Sequence, residues 1–117
     1  MGYKVVKVSD VENTPLPGHH NMVIKKIVSP KGVIKDEKID FGVSVYNPNA
    51  HVEGAVHEDV YHIFYLMKGK LTGILDGERR EFVEGDVIYI PPGVRHEFLN
   101  ETSEPAVIVA VIYPPFK

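Results

Sequence analysis

The stretch Gly85-Asp-Val-Ile-Tyr-Ile-Pro91-Pro92-Gly93-Val-Arg-His96-Glu-Phe-Leu-Asn100 decides the fold of this chain. Its glycines and prolines are typical of turns, because proline restricts φ and glycine tolerates the positive φ that tight turns require. The apolar run between the two turns is typical of a strand, and His96 begins the next strand. Because side chains alternate across a strand, we expect His96, Phe98 and Asn100 to share one face.

Prolines and glycines interrupt the rest of the chain in the same way. Nine prolines and ten glycines separate short segments rich in Val, Ile, Tyr and Phe, and no segment has a sustained 3.6-residue apolar period. The pattern predicts ten strands: Lys4–Val8, Met22–Val28, Phe41–Tyr46, Val52–His57, Tyr61–Met67, Leu71–Leu75, Arg80–Val83, Val87–Ile90, His96–Asn100 and Val107–Tyr113. Asp76-Gly77 is a two-residue hairpin signal, since a type I′ turn needs positive φ at both positions. Lys68-Gly69-Lys70 and Pro91-Pro92-Gly93 predict further chain reversals.

So many short strands must close on themselves or stack as two sheets to protect their edges. The sequence therefore predicts an all-β, jelly-roll-like barrel, with residues 1–117 as a single domain, because the chain is too short for two cores. Tyr61–Met67 is apolar on both faces, which is typical of a barrel strand covered outside by another sheet or subunit. We assign most of the tyrosines to the core: Tyr46, Tyr61, Tyr65, Tyr89 and Tyr113.

Composition excludes several classes of partner. Thirteen basic and sixteen acidic residues give a net charge of −3, the wrong sign for a protein that neutralises phosphates, so no nucleic acid is expected. Lys25-Lys26 and Arg79-Arg80 are interpreted as solvated strand faces. The longest apolar run, Ala106–Tyr113, is too short to cross a bilayer, so no membrane is expected either. With no cysteine there is no thiolate ligand, and we expect a cytoplasmic protein.

At residues 85–100 the sequence resembles the cupin superfamily. The second motif of that family is Gly, five residues, Pro-x-Gly, two residues, His, three residues, Asn, and every fixed position is matched: Gly85, Pro91, Gly93, His96 and Asn100. The first motif is matched only in part, over residues 54–69. Gly69 is its closing glycine, His62 stands where the family usually has Glu, and His57 holds the place of the second histidine. Ala55 stands where the first histidine would be.

The resemblance implies a small single-domain cupin of the conserved-barrel type, a double-stranded β-helix. It also implies a metal site built from His57, His62 and His96. His57 and His62 would point to opposite faces of an unbroken strand, so they can converge only if a turn at Glu58-Asp59 intervenes. His51 and Glu53 lie roughly 20 and 13 Å back along the strand from His57, too far to be ligands.

We therefore predict three neutral imidazoles with an open position for water or substrate. Imidazole suits Mn, Fe, Ni, Zn or Cu, and the set disfavours Mg and Ca. The expected function is a metal-binding enzyme of oxygenase, isomerase or lyase type acting on a small polar molecule. The alternatives are a non-catalytic small-molecule or sugar-binding barrel and a structural barrel that mediates assembly. Unpaired apolar strand faces predict a homodimer.

Overall fold

The computed structural model describes residues 2–116, and within that range one short 3₁₀ turn precedes nine strands. The 3₁₀ turn is Val8–Asp10, and the strands are β1 (His19–Ser29), β2 (Ile34–Lys35), β3 (Asp40–Ala55), β4 (Tyr61–Lys68), β5 (Lys70–Leu75), β6 (Glu78–Val83), β7 (Val87–Ile90), β8 (His96–Leu99) and β9 (Ala106–Tyr113). The all-β prediction is confirmed. In this part of the chain, no helix has the length and hydropathy of a membrane span.

One hydrogen-bonded sheet contains all nine strands, in the order β6-β5-β8-β3-β9-β4-β7, with β1 on β3 and β2 on β1. The first part of β3 pairs with β9 and its last part pairs with β8, while β1 pairs with both parts of β3. Two halves, β9-β4-β7 and β8-β5-β6, therefore diverge from β3 and enclose a core. Its most deeply buried side chains include Leu66, Phe98 and Ile108.

Strand β3 corrects the predicted pair of strands Phe41–Tyr46 and Val52–His57. The structure has one strand that bends where Asn49 adopts a φ of 69°. Asn100 supports the bend. Its side-chain Nδ2 donates to the backbone carbonyl of Tyr46, and its backbone carbonyl accepts from the N–H of Asn49. The Asn-Pro-Asn sequence at the bend is typical of a loop. Pairing with neighbours on either side of the bend maintains the strand.

Four other local features differ from the predictions. Lys4–Val8 forms no strand, because it has no pairing partner, and Tyr3 and Val5 are more than four-fifths exposed. The sequence reasoning missed β2, a two-residue strand parallel to the end of β1. Gly69 marks a corner between β4 and β5, which do not pair, so it is not a hairpin reversal. Pro91-Pro92-Gly93 likewise joins β7 to β8, which are not neighbours in the sheet.

The hairpin prediction is confirmed at Asp76-Gly77. Both residues have positive φ, 49° and 82°, and Leu75 pairs directly with Glu78 on either side of them. This is the two-residue turn between β5 and β6, and its twist matches the twist of the strands it joins. Arg79 and Arg80 on β6 are exposed, as predicted for a solvated face.

The burial pattern of β4 shows which of its two apolar faces lies inside the barrel, which the sequence did not predict. His62, Phe64 and Leu66 are buried inside, while the alternate residues point outward. Of the five tyrosines assigned to the core, only Tyr46 is buried; the other four are exposed because they belong to strand faces that residues 2–116 leave uncovered. We call the exposed apolar surface of β4 and its neighbours the outer β4 face, consisting of Tyr61, Ile63, Tyr65, Met67, Val87, Tyr89 and Tyr113.

Candidate metal centre

The structure brings the three predicted histidines together. His57 lies in the loop between β3 and β4, His62 is the second residue of β4, and His96 is the first residue of β8. One ring nitrogen from each lies within 4.8 Å of the others, and the ring centroids are 4.8 to 5.4 Å apart. We call these three residues the inner histidines.

The bend predicted at Glu58-Asp59 is present and explains the convergence. Strand β3 ends at Ala55, so His57 is a loop residue and not the end of a strand, which corrects the predicted strand boundary. His62 is then fixed by pairing with Ile90 on one side and Ile112 on the other. The loop is also held, because the backbone N–H of Gly93 donates to the carbonyl of His57 at 2.9 Å. The turn at Pro91-Pro92-Gly93 therefore helps to position His57, through this hydrogen bond, and His96, which follows the turn.

All three rings are held in the neutral state. Burial is the largest cause that lowers the pKa of His62 to about 3, and the charges of His96, His57 and Lys26 lower it further. Burial, followed by the charge of His96, lowers the pKa of His57. Burial also lowers the pKa of His96. Neutral imidazole is the form that binds metals, so these surroundings favour a ligand set over a charged cluster.

A hydrogen bond decides the tautomer of His96. Its Nδ1 lies 3.0 Å from the carbonyl oxygen of Val94, and a carbonyl can only accept, so Nδ1 carries the proton. In a neutral ring, Nε2 is then left as the lone-pair donor. Metal-binding histidines commonly orient the ring through such a bond on the other nitrogen.

The donor set fits a divalent transition metal. Three imidazole nitrogens with no carboxylate or thiolate in the group suit the metals that accept nitrogen ligands, whereas Mg and Ca prefer oxygen. Ala55 pairs with His96 across β3 and β8 and also borders the cavity, as expected for the position of the missing first histidine. Its methyl group leaves that side of the group open.

The inner histidines border a cavity of about 530 Å³ inside the barrel. Much of its wall is apolar, with Phe64, Phe98 and Ile108 among the contributing side chains. Phe116, near the carboxyl end, packs on two of the inner histidines, with ring centroids 4.7 Å from His57 and 5.8 Å from His62. A cavity of this size and lining is typical of sites that bind small molecules.

The other three histidines do not belong to the inner group. His20 lies 2.6 Å from a carboxylate oxygen of Glu53, and His51 lies 2.6 Å from one of Glu97. The rings of His20 and His51 stack at 6.1 Å, and we call this pair the outer histidines. The prediction that His51 and Glu53 are not part of the ligand group agrees with this arrangement. His19 borders the cavity, and its Nδ1 donates a hydrogen bond to the carbonyl oxygen of Pro17 at 2.8 Å.

A buried ion pair in the cavity wall, Lys26 with Asp40, does not follow from the sequence pattern. Lys26 was interpreted as solvated, but its Nζ lies 2.8 Å from Oδ2 of Asp40, and the two side chains are only 12% and 9% exposed. The available signal was alternation, since Met22, Ile24 and Lys26 occupy the same face of β1. Asp40 gave no signal, because its position at the start of β3 is typical of a turn residue.

Comparison with known proteins agrees with this architecture. An uncharacterized protein of Methanocaldococcus jannaschii is 26% identical over 113 residues, which cover 97% of this chain and 90% of that protein. A predicted oxalate decarboxylase from Thermotoga maritima superposes with a TM-score of 0.82 at 19% identity, covering 95% of this chain and 99% of that one. The polyketide cyclase RemF from Streptomyces resistomycificus also gives 0.82, at 21% identity, covering 98% of this chain and 87% of that one.

The two solved structures show a shared fold and differ in the activities attributed to them. A family model for the cupin domain matches residues 42–112, from within β3 to within β9. That range contains all three inner histidines and both sequence motifs. The chain therefore belongs to the cupin family.

Proposed function

We propose that this cupin is a metal-dependent enzyme that acts on a small polar molecule, with His57, His62 and His96 as the metal ligands. The observation that carries the proposal is the group of three neutral imidazoles facing a cavity, with one side left open by Ala55. A divalent ion held by neutral ligands keeps its full charge and, when bound, supplies Lewis acidity toward a carbonyl or hydroxyl oxygen, or an O₂ site if it is iron.

The chain's own residues supply the rest of the site. The apolar wall excludes water and strengthens electrostatic interactions inside the cavity. The hydrogen bond from His96 to Val94 and the pairing of β4 hold two rings in place before any ion binds. Fold likeness does not choose among oxygenase, isomerase and lyase chemistry, so the proposal stays at the level of these three classes.

The decisive experiment is elemental analysis of protein purified without a tag. We expect about one equivalent of Mn, Fe, Ni, Zn or Cu per chain. The variant His57→Ala/His62→Ala/His96→Ala should contain none, and the control variant His20→Ala/His51→Ala should retain the full amount. Equal metal content in both variants would show that the ion lies elsewhere.

A second candidate function is a non-catalytic barrel that binds a sugar or another small molecule. The observation in its favour is the departure from the family motif, because Ala55 and His62 stand where the family has its first histidine and its glutamate. Loss of those groups removes a ligand and a carboxylate, while the cavity remains. Stoichiometric ligand binding without turnover by the metal-loaded protein would favour this function over an enzyme.

We also propose that a second copy of the chain covers the outer β4 face. This face is uncharged, lies on three adjacent strands and contains exposed residues such as Tyr89, 58% exposed, and Val87, 62% exposed. A stable interface buries roughly 800 Å² on each partner, with aromatic residues enriched at its centre. Light scattering should give twice the 13.1 kDa mass of one chain.

The variant Ile63→Lys on that face should give a monomer. Val33→Lys, at an exposed valine in the connection between β1 and β2, should leave the mass unchanged, because these two strands pair with none of β4, β7 and β9. A wild-type monomer at micromolar concentration would contradict the dimer. We further propose that the protein acts in the cytoplasm, in agreement with its lack of cysteine.

A further inference from the structure

The ion pair of Lys26 and Asp40 is a built feature of the cavity that the metal proposal does not use. The ammonium lies 2.8 Å from the carboxylate, both side chains are about nine-tenths buried, and both border the cavity. Desolvating two charges costs several kcal/mol, and an ion pair contributes little to stability compared with apolar side chains of similar size. A buried pair facing a cavity is therefore better explained by a role in the cavity than by stability alone.

Strand register places Asp40 on the same row of residues as His62. Asp40 pairs with Ile112 on β9, and Ile112 pairs with His62 on β4. With strands about 4.8 Å apart, the backbones of Asp40 and His62 are roughly 10 Å apart. Lys26, Asp40 and His62 all border the same cavity. A molecule of about six carbons can therefore reach both groups at once.

The chemistry of the pair selects what it can bind. The ammonium has three N–H donors, of which one is directed to Asp40, and the carboxylate has further lone pairs to accept hydrogen bonds. A second carboxylate on the ligand would meet repulsion from Asp40, and an apolar group would leave the remaining donors of Lys26 and lone pairs of Asp40 without hydrogen bonds. A hydroxyl group satisfies both charges, because it can donate to Asp40 and accept from Lys26.

We propose that Lys26 and Asp40 form a specificity site for the hydroxyl-bearing end of a polyhydroxylated ligand, a sugar or sugar acid, whose other end faces the inner histidines. The proposal rests on the proposed function for the placement of that other end. It deepens the function by naming the substrate class. The volume of about 530 Å³ accommodates one such molecule.

Calorimetric titration with three probes tests the proposal: D-gluconate, hexanoate and adipate. They share a carboxylate at one end and differ in carrying hydroxyls, nothing polar, or a second carboxylate. We expect wild-type protein to bind D-gluconate about tenfold or more tighter than either other probe, since hydrogen bonds to charged groups are the stronger ones. Similar affinity for hexanoate or adipate, or no binding of any probe, would overturn the proposal.

The test variant is Lys26→Met/Asp40→Leu, because removing both charges avoids leaving one of them buried and unpaired. It should lose the preference for D-gluconate and keep its melting temperature and metal content. The control is Arg79→Met/Glu101→Leu, which removes an exposed ion pair that does not border the cavity and should keep the preference. A double variant that folds and still prefers D-gluconate would overturn the specificity site.

The two proposals fail in distinguishable ways. The hydroxyl preference is measured on both metal-loaded and metal-free protein. If the protein binds no metal, the proposed function fails, but the preference in metal-free protein still reports on Lys26 and Asp40. If metal binds at the inner histidines and the preference is absent, only the specificity site fails.

Discussion

The inner and outer histidines place the same side chain in two opposite settings. The inner group is enclosed by the barrel, and its three rings face one another. The outer histidines are register partners on β1 and β3, and each ring contacts a carboxylate at 2.6 Å. Residue type alone therefore predicts neither a ligand nor an ion pair. Burial and the neighbouring charge decide which role a histidine takes.

The pKa shifts in the two groups also differ, and each shift agrees with the role of its group. Burial lowers the pKa values of the inner histidines, and no carboxylate is present in the group to oppose this. In the outer pair, the hydrogen bond from His20 and then its charge lower the pKa of Glu53, which stabilises the charged carboxylate. The inner setting favours neutral lone pairs for a metal ion, and the outer setting favours salt bridges.

The largest expected difference is in metal affinity. Single replacement of an inner histidine by alanine should lower affinity by about ten- to a hundredfold or more. His96→Ala should have the greatest effect, because the bond to Val94 orients its ring before metal binds, and His57→Ala the least, because His57 lies in a loop. Competition titration with a chelator measures this order.

His20→Ala and His51→Ala are the matched controls for that series and should bind metal like the wild type. Melting temperatures of all five variants should stay close together, since the core does not depend on these rings. Full occupancy in His96→Ala would place the metal site outside the inner histidines.

The pH dependence of stability should separate the two groups next. An unfolded histidine takes up its proton near pH 6.5, whereas folded His62 does so only near pH 3. Between these values the unfolded state binds more protons, so metal-free protein loses stability as the pH falls below 6.5, by about 1–2 kcal/mol at pH 5. Above pH 6.5 this stability is fully present.

Denaturant titrations at pH 5 and pH 7.5 test this, with His62→Gln expected to reduce the difference. Glu53 has a lowered pKa, so its contribution is lost only as the pH falls below about 4.5. The control Thr72→Val, at a buried side chain that does not titrate, should leave the difference between pH 5 and pH 7.5 unchanged. A wild-type stability that is equal at the two pH values would contradict the buried, neutral state of His62.

A smaller effect is expected from Phe116, which covers part of the inner group. Phe116→Ala should admit water to His57 and His62 and raise the rate of metal release to a chelator several-fold. Tyr113→Ala, an exposed aromatic residue three positions earlier, is the control and should release metal at the wild-type rate. Equal release from both variants would mean that Phe116 does not limit access.

The smallest effect is expected in the outer group. A double-mutant cycle on His51→Ala and Glu97→Ala should give a coupling free energy of about 0.2–1 kcal/mol, the range for partly exposed ion pairs. Metal content should not change in any of the three variants. A coupling of several kcal/mol would show that the outer pair is as strongly desolvated as the inner group.

Parts of the site followed from sequence and others did not. His96 was predictable because residues within eleven positions of it determine its setting: Gly85 and Gly93 both adopt positive φ, and the strand alternation fixes its face. The need for a turn at Glu58-Asp59 also followed from the odd spacing of His57 and His62, which would place them on opposite faces of an unbroken strand. Lys26 was assigned to solvent because its partner, Asp40, lies fourteen residues away and across a strand pair.

The all-β class, the hairpin at Asp76-Gly77 and the motif around His96 could be predicted from the sequence, because turn formation and strand alternation depend on residues close together in the chain. Tertiary structure decided the continuity of β3, the exposure of the outer β4 face, the ion pair at Lys26 and the packing of Phe116 on the histidines. These features depend on which distant segments pair and what each face covers. Local pattern does not contain that information, because the same alternation is compatible with either face inside.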